Sequence, residues 1–449
     1  MAWVVRGGSP VAAKGRPLDL VFFARKRSMS SRFVLSQTFT LPNGTVLKNR
    51  LVKSAMSEAL ADAQGAATGE LVRLYSAWAQ GGIGLCITGN VMVDRAALGE
   101  PGNVVIEGDQ HLPALREWAS AASAHGTQCW VQLNHPGKQA PKGLNTETVS
   151  PSAVEFRPEM RALFATPRAL GAGEVQAIID RFAVAAATVK KAGFGGVQIH
   201  GAHGYLVSQF LSPHHNRRED AWGGSAAKRR RFVLEVYRAI RAAVGADFPI
   251  GIKLNSADFQ RGGFTEQESL ETMVALADAG IDLIEISGGT YEAPAMTGVK
   301  AAGAAPAKST REREAYFIEF ARKARAAVAT PMVLTGGFRT AQGMASAIDS
   351  NAVDLVGLAR ILAVEPDAPH RLLAGNDPVQ RVAPLKTGIG WIDALGVLEV
   401  SWYTGQLKRI GRGQPPQPKE SPLWVFVKLV WQSLRSGRRR AGLSRTRTI

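Results

Sequence analysis

Gly193–Ser225 reads GFGGVQIHGAHGYLVSQFLSPHHNRREDAWGGS. It contains a short apolar strand, Val197 to Ile199, that stops at His200, and His200, His203 and Tyr205 then fall within six residues. Four of the chain's eight histidines lie in this stretch, so proton-capable side chains are concentrated at one strand end. A rigid strand that delivers such groups to a loop is the arrangement at the carboxyl end of a catalytic strand in an α/β barrel.

The same unit recurs on both sides. LPNGTVLKNR carries an Asn-Gly turn signal; RLVKSAM then reads as a strand and GELVRLYSAWAQGG as an apolar-periodic helix stopped by Gly81 and Gly82. The strands IGLCIT, QCWVQL, GVQIH, PIGIKL, IDLIEIS, PMVLTG and VDLVGLA follow, with helical segments between them. Eight continuous apolar strands alternating with helices over residues 50 to about 375 predict strands buried on both faces. That pattern suits an α/β fold closed as a (β/α)8 TIM barrel better than an open doubly wound sheet. Two insertions, 134–170 and 200–226, fall on the predicted catalytic face.

Three regions are expected: a basic N-terminal extension over 1–33, the barrel over 34–375, and a C-terminal extension over 376–449. The formal charge of +17 divides unevenly, with +6 in residues 1–34 and +10 in residues 408–449, leaving +1 for the body. A near-neutral body argues against a nucleic-acid face on the barrel. The first 33 residues read either as disordered or as a mis-assigned start, with Met29 as the true one. No run is long and apolar enough to span a bilayer. The segment LWVFVKLVWQSLRSGRRR, within 422–440, is apolar and then abruptly basic, which suits a membrane-surface or partner contact or a terminal helix packed on the barrel. Cys86 and Cys129 lie in apolar strand-like runs, so buried free thiols are expected, and with them a reducing, cytoplasmic setting. Two cysteines cannot supply the four thiolates of an iron–sulfur cluster.

The loops after the last two strands, TGGFRT and VGLAR, place Gly336, Gly337 and Arg360 where barrels commonly cradle a phosphate. Lys253 inside an apolar strand is costly to bury unless an anion or electron-rich ring awaits it, and Gln132 offers both donor and acceptor. With Ser57 after the first strand, these groups suit a phosphorylated, ring-bearing cofactor, and flavin mononucleotide fits. A zinc site from HxxH with His214 and His215 lacks the cysteine or carboxylate to complete a tetrahedron, so no metal is expected.

HGAHGYLVSQFLSP with NRRED and WGGS, together with LPNGTVLKNRLVKSAM, VQLNHPGKQ, IKLNSADFQRGGF and TGGFRT, resembles the Old Yellow Enzyme family of FMN-dependent ene-reductases over about residues 34 to 365. The resemblance implies bound FMN, NADH or NADPH as reductant and an enone-type substrate, with a homo-oligomer possible. It implies that His200 and His203 hold the substrate's carbonyl oxygen while Tyr205 delivers a proton opposite the hydride. It places Ala55, Met56, Ser57, Asn90, Gln132 and Lys253 around the flavin ring, and Gly336, Gly337, Ala359 and Arg360 at its phosphate. Ser57 stands where some members carry Cys and others Thr, and Ala359 stands where Gly is usual. Two alternatives remain: a flavin-dependent dehydrogenase working oxidatively, and a flavin-binding scaffold localised by its tails.

Overall fold

The computed structural model describes residues 31–287, 310–380, 385–389, 393, 397–428 and 431. Most of the N-terminal extension, residues 288–309 and the basic run after 431 lie outside the described residues.

A two-stranded hairpin, β1 (Phe39–Thr40) with β2 (Val46–Leu47), forms at the Asn-Gly signal and precedes β3 (Leu51–Lys53). The barrel continues with β4 (Leu85–Met92) and β5 (Gln128–Asn134); a small pair, β6 (Val149–Ser150) and β7 (Arg168–Ala169), lies inside the first insertion. β8 (Gly196–Gly201), β9 (Ile250–Asn255), β10 (Leu283–Ser287), β11 (Met332–Thr335) and β12 (Leu355–Leu358) complete it. β3, β4, β5 and β8 to β12 close into one parallel barrel, in which β12 pairs with β3. The predicted (β/α)8 TIM barrel is therefore the observed architecture.

Local signals set the surrounding helices. Thr265 and Glu268 form a reciprocal capping box at the start of helix Glu266–Asp278, and Ser225 caps helix Ala226–Val244 through the Lys228 N–H. Gly193 ends helix Ala172–Ala192 in the left-handed region at φ 94°, which releases the chain into β8. Cys86 and Cys129, paired across β4 and β5, are free and buried as expected.

Strand alternation sorts the barrel interior into layers. Leu41 and Leu47 from the hairpin pack with Val52, Leu85, Ile87, Trp130, Leu283, Val333 and Leu355 in one buried apolar cluster, so the hairpin plugs the barrel floor. Two residues further along each strand, towards the carboxyl ends, the interior turns polar with Ser54, Gln132, Gln198, Lys253, Glu285 and Thr335, all engaged with one another. Gly357 makes room for this belt: a Cβ there would lie 1.9 Å from Thr335 Oγ1 and 2.5 Å from Ser54 Oγ. Gly357→Ala is expected to break the Ser54–Thr335 bond and to cost about 1–3 kcal/mol. Urea unfolding with an unchanged midpoint would refute that account.

Candidate functional site

The carboxyl end of β8 carries the three rings singled out in the sequence. His200 is the penultimate strand residue, His203 follows in the turn, and Tyr205 is the N-cap of the short helix Leu206–Leu211. The His200 ring meets His203 edge-on at 5.1 Å and Tyr205 at 4.7 Å between centroids. His203 takes φ +61°, an uncommon conformation for a non-glycine residue that surrounding contacts must impose. Those contacts come from two neighbouring strands. Its backbone N–H donates to Asn255 Oδ1 at 3.2 Å, and its Nε2 lies 2.7 Å from Ser287 Oγ. Asn255 is itself held by Asp258 at 3.2 Å.

These histidines are neutral at physiological pH. Burial, reinforced by the Lys253 charge, holds His203 well below the usual imidazole value; for His200 burial again leads, followed by His203 and Lys253. Burial likewise lowers His215, and it pushes His135 down to about 4. A histidine depressed in the folded state takes its proton first in the unfolded chain. Its stabilising contribution is complete above about pH 6.5 and is lost as pH falls. Glu100 acts oppositely: burial and the Glu58 carboxylate push it up to about 7, so its contribution is lost as pH rises through that value. Burial also raises the Asp258 carboxyl, so four histidines oppose two carboxyls, and the melting temperature is expected to drop between pH 7 and pH 5. Thermal melts that stay level or rise on acidification would contradict this.

Beneath the rings, Gln132 and Lys253, two of the residues expected around the flavin ring, are joined through others. Gln132 Nε2 donates to Gln198 Oε1 at 2.7 Å, and Gln198 Nε2 donates to Glu285 Oε2 at 2.7 Å. Glu285 Oε1 pairs with Lys253 Nζ at 3.0 Å and accepts from Thr335 Oγ1 at 2.7 Å. Ser54, Gln198, Glu285, Thr335, Asn255 and Ser287 were not singled out from sequence. Gln198 in GVQIH and Glu285 in IDLIEIS carry the signal that exposed Lys253, a polar residue inside an apolar strand.

Gly336 and Gly337 turn out of β11 with φ of 112° and 82°, and a Cβ at Gly336 would meet nothing within 4 Å. Ala359 and Arg360 leave the adjacent strand β12 at the same end of the barrel. The Arg360 guanidinium pairs with Glu399 Oε1 at 2.5 Å, a contact the sequence did not indicate. Glu399 belongs to helix Val397–Gly411, whose Trp402, Leu407 and Ile410 are buried in the main core and whose Thr404 Oγ1 donates to Ser57 O at 3.4 Å. Part of the C-terminal region thus touches two of the predicted cofactor residues.

Ala55, Met56 and Ser57 follow β3, and Asn90 lies opposite Gln132 in the ladder between β4 and β5. Asn90 and Ser57 line a small cavity that reaches the Leu71 and Trp118 side chains of two outer helices. Ser57 Oγ and both amide atoms of Asn134 are buried without a hydrogen-bond partner. Asn134 stands two residues beyond Gln132, hence on the same inward face. Orphaned donors and acceptors at the carboxyl ends of β3 and β5, a buried lysine cation on β9, and an open diglycine turn and an arginine at the same end of β11 and β12 fit a polar-edged ring bearing a phosphate.

Residues 35–377 match the model of the NADH:flavin oxidoreductase / NADH oxidase family. The chain belongs to that family. It is 36% identical over 409 residues to the NADH-dependent flavin oxidoreductase iccE of Talaromyces variabilis, covering 84% of this chain and 98% of that one. Among solved structures, a 2-naphthoyl-CoA reductase complex superposes with a TM-score of 0.69 at 25% identity, covering 77% of this chain and 53% of that one. The Old Yellow Enzyme homologue of Zymomonas mobilis superposes at 0.65 with 23% identity, over 78% and 94% of the two chains, and attests the fold. The family's cofactor is FMN and its reductant NADH or NADPH, so the chain is an FMN-dependent NAD(P)H oxidoreductase.

Proposed function

We propose that this enzyme reduces C=C bonds conjugated to a carbonyl group at the mouth formed by His200, His203 and Tyr205. The observation that carries the reading is the packing of two neutral imidazoles and a phenol at one strand end, above a buried lysine. FMN, when bound, supplies the hydride. Gln132, Lys253, Ala55, Met56, Ser57 and Asn90 would hold its ring, and Gly336, Gly337, Ala359 and Arg360 its phosphate.

The chain's own side chains do the rest. The Ala202 N–H donates to His200 Nδ1 at 3.4 Å, which leaves the proton on Nε2 free to donate to a substrate oxygen. Ser287 fixes the plane of the His203 ring; in the tautomer where Ser287 Oγ donates to Nε2, the ring proton sits on Nδ1 and supplies a second donor oriented before substrate arrives. Neutral donors aimed at a carbonyl oxygen stabilise the negative charge that grows there as the double bond is reduced. The Tyr205 phenol then delivers a proton to the α-carbon. Purified protein reconstituted with FMN and reduced by NADH or NADPH should be reoxidised by members of a panel of enones, maleimides, nitroalkenes and acyl-CoA esters. Turnover confined to amines or alcohols with a dye acceptor would instead establish the oxidative reading.

A second proposal concerns the C-terminus. No helix among the described residues is long and apolar enough to cross a membrane. After the docked helix, however, Val425 is buried in the core while Leu423, Trp424, Val427 and Trp431 are exposed by 42%, 55%, 45% and 55%. The sequence then runs into a segment with six arginines and no acid between 432 and 449. An apolar aromatic face beside basic residues suits an anionic membrane surface. The full chain should sediment with phosphatidylglycerol vesicles and release in high salt, and truncation after Glu420 should abolish this. Failure of the full chain to sediment would end the proposal.

A further inference from the structure

The polar belt inside the barrel has Glu285 at its centre. The side chain is fully buried and serves three partners at once: Lys253 at 3.0 Å, Gln198 at 2.7 Å and Thr335 at 2.7 Å. Through Gln198 it reaches Gln132, and through Thr335 it reaches Ser54 at 2.7 Å. Burial alone would raise its carboxyl, but Lys253, Thr335 and Gln198 outweigh that and hold it below the usual carboxylate range. It is therefore an anion at the base of the site.

Stability does not explain this arrangement. Desolvating a lysine and a glutamate costs several kcal/mol per ion, and apolar residues of similar volume often serve the fold as well or better. The layer immediately below is built that way, with Trp130, Leu283 and Val333 at the inward positions two residues earlier on β5, β10 and β11. The ion pair occurs where the barrel interior meets the mouth, and its cation, Lys253, is one of the residues proposed to hold the flavin ring.

We propose that Glu285 is the positioning and charge-balancing residue of the cofactor site, orienting Lys253 and Gln132 and setting how strongly the site prefers reduced over oxidised flavin. The proposal rests on the FMN reading above. With the carboxylate present, the Lys253 charge is largely neutralised. Without it, an uncompensated cation faces the cofactor and favours the form that carries more negative charge.

The test uses full-length protein loaded with FMN and reads the midpoint potential of the bound flavin, together with FMN affinity, in wild type, Glu285→Gln, Lys253→Met and the double variant Lys253→Met/Glu285→Met. Glu285→Gln should raise the preference for reduced flavin at least about tenfold, which is about 30 mV upward for a two-electron couple. Lys253→Met should move the potential downward, and the double variant should lie nearer wild type than Lys253→Met does. An unchanged or lowered potential in a folded Glu285→Gln variant overturns the proposal, since a merely structural carboxylate would leave the potential alone. Should Glu285→Gln not fold, equal potentials in Lys253→Met and the double variant would overturn it. Wild-type protein that takes up no FMN would refute the flavin reading itself, a result separable from either.

Discussion

Tyr205→Phe should slow reoxidation of the reduced enzyme by an enone by about 10²–10⁴-fold, the range over which a positioned general acid contributes. Reduction by nicotinamide should change by less than about threefold, because no proton from Tyr205 is needed in that half-reaction. The substitution removes only the hydroxyl. The ring stays packed 4.7 Å from His200, and the backbone at the N-cap of helix Leu206–Leu211 is untouched. Stopped-flow measurement of the two half-reactions separates the outcomes. Comparable losses in both would indicate displaced cofactor or misfolding, and no loss in the oxidative half would remove Tyr205 as the proton source.

The largest expected effect on stability lies outside the barrel wall. Lys53 follows the inward-facing Val52 on β3, so its side chain points outward into the helix layer, where it is fully buried. Its ammonium donates to Ile87 O at 2.7 Å, lies 3.7 Å from Glu58 Oε1, and sits over the Trp78 ring at 4.4 Å. Glu58 also accepts from the Gly89 N–H at 2.9 Å and from the Tyr75 hydroxyl. Glu58→Ala strands a buried cation and a buried amide, and should cost about 3–5 kcal/mol. In a chain of this size that is about 3–5 °C in melting temperature. Replacing both charges, as Lys53→Met/Glu58→Met, should recover much of the loss. A single variant that melts with wild type would show that water compensates Lys53. Because Glu58 adjoins Ser57, the single variant should also loosen FMN retention.

Much of the architecture was legible without coordinates. Continuous apolar runs mark strands buried on both faces, and those runs became the eight barrel strands within a few residues at each end. His200, His203 and Tyr205 were legible for a related reason: three proton-capable groups directly after an apolar strand have to emerge together at one strand end, and in the structure their rings touch. Less was legible between strands. The short helix Leu206–Leu211 lies inside the predicted insertion 200–226, and its six residues hold too little periodicity to distinguish a helical turn from a loop. Nothing local in RLVKSAM shows that Lys53 is buried against Tyr75 and Trp78, because both rings come from the following helix.

By itself the sequence determined the repeating strand–helix unit and the residue types gathered at the barrel mouth, because hydrophobic burial acts through patterns a few residues long. Only the tertiary structure decided the pairings: Lys253 with Glu285, Gln132 with Gln198, His203 with Ser287, and Arg360 with Glu399. Each joins side chains that are far apart in sequence or lie on different strands, and each depends on how the barrel closes, how adjacent strands are staggered and where the C-terminal helix docks. A polar side chain finds its partner through that geometry, so its chemistry is visible in the sequence while its neighbour is not.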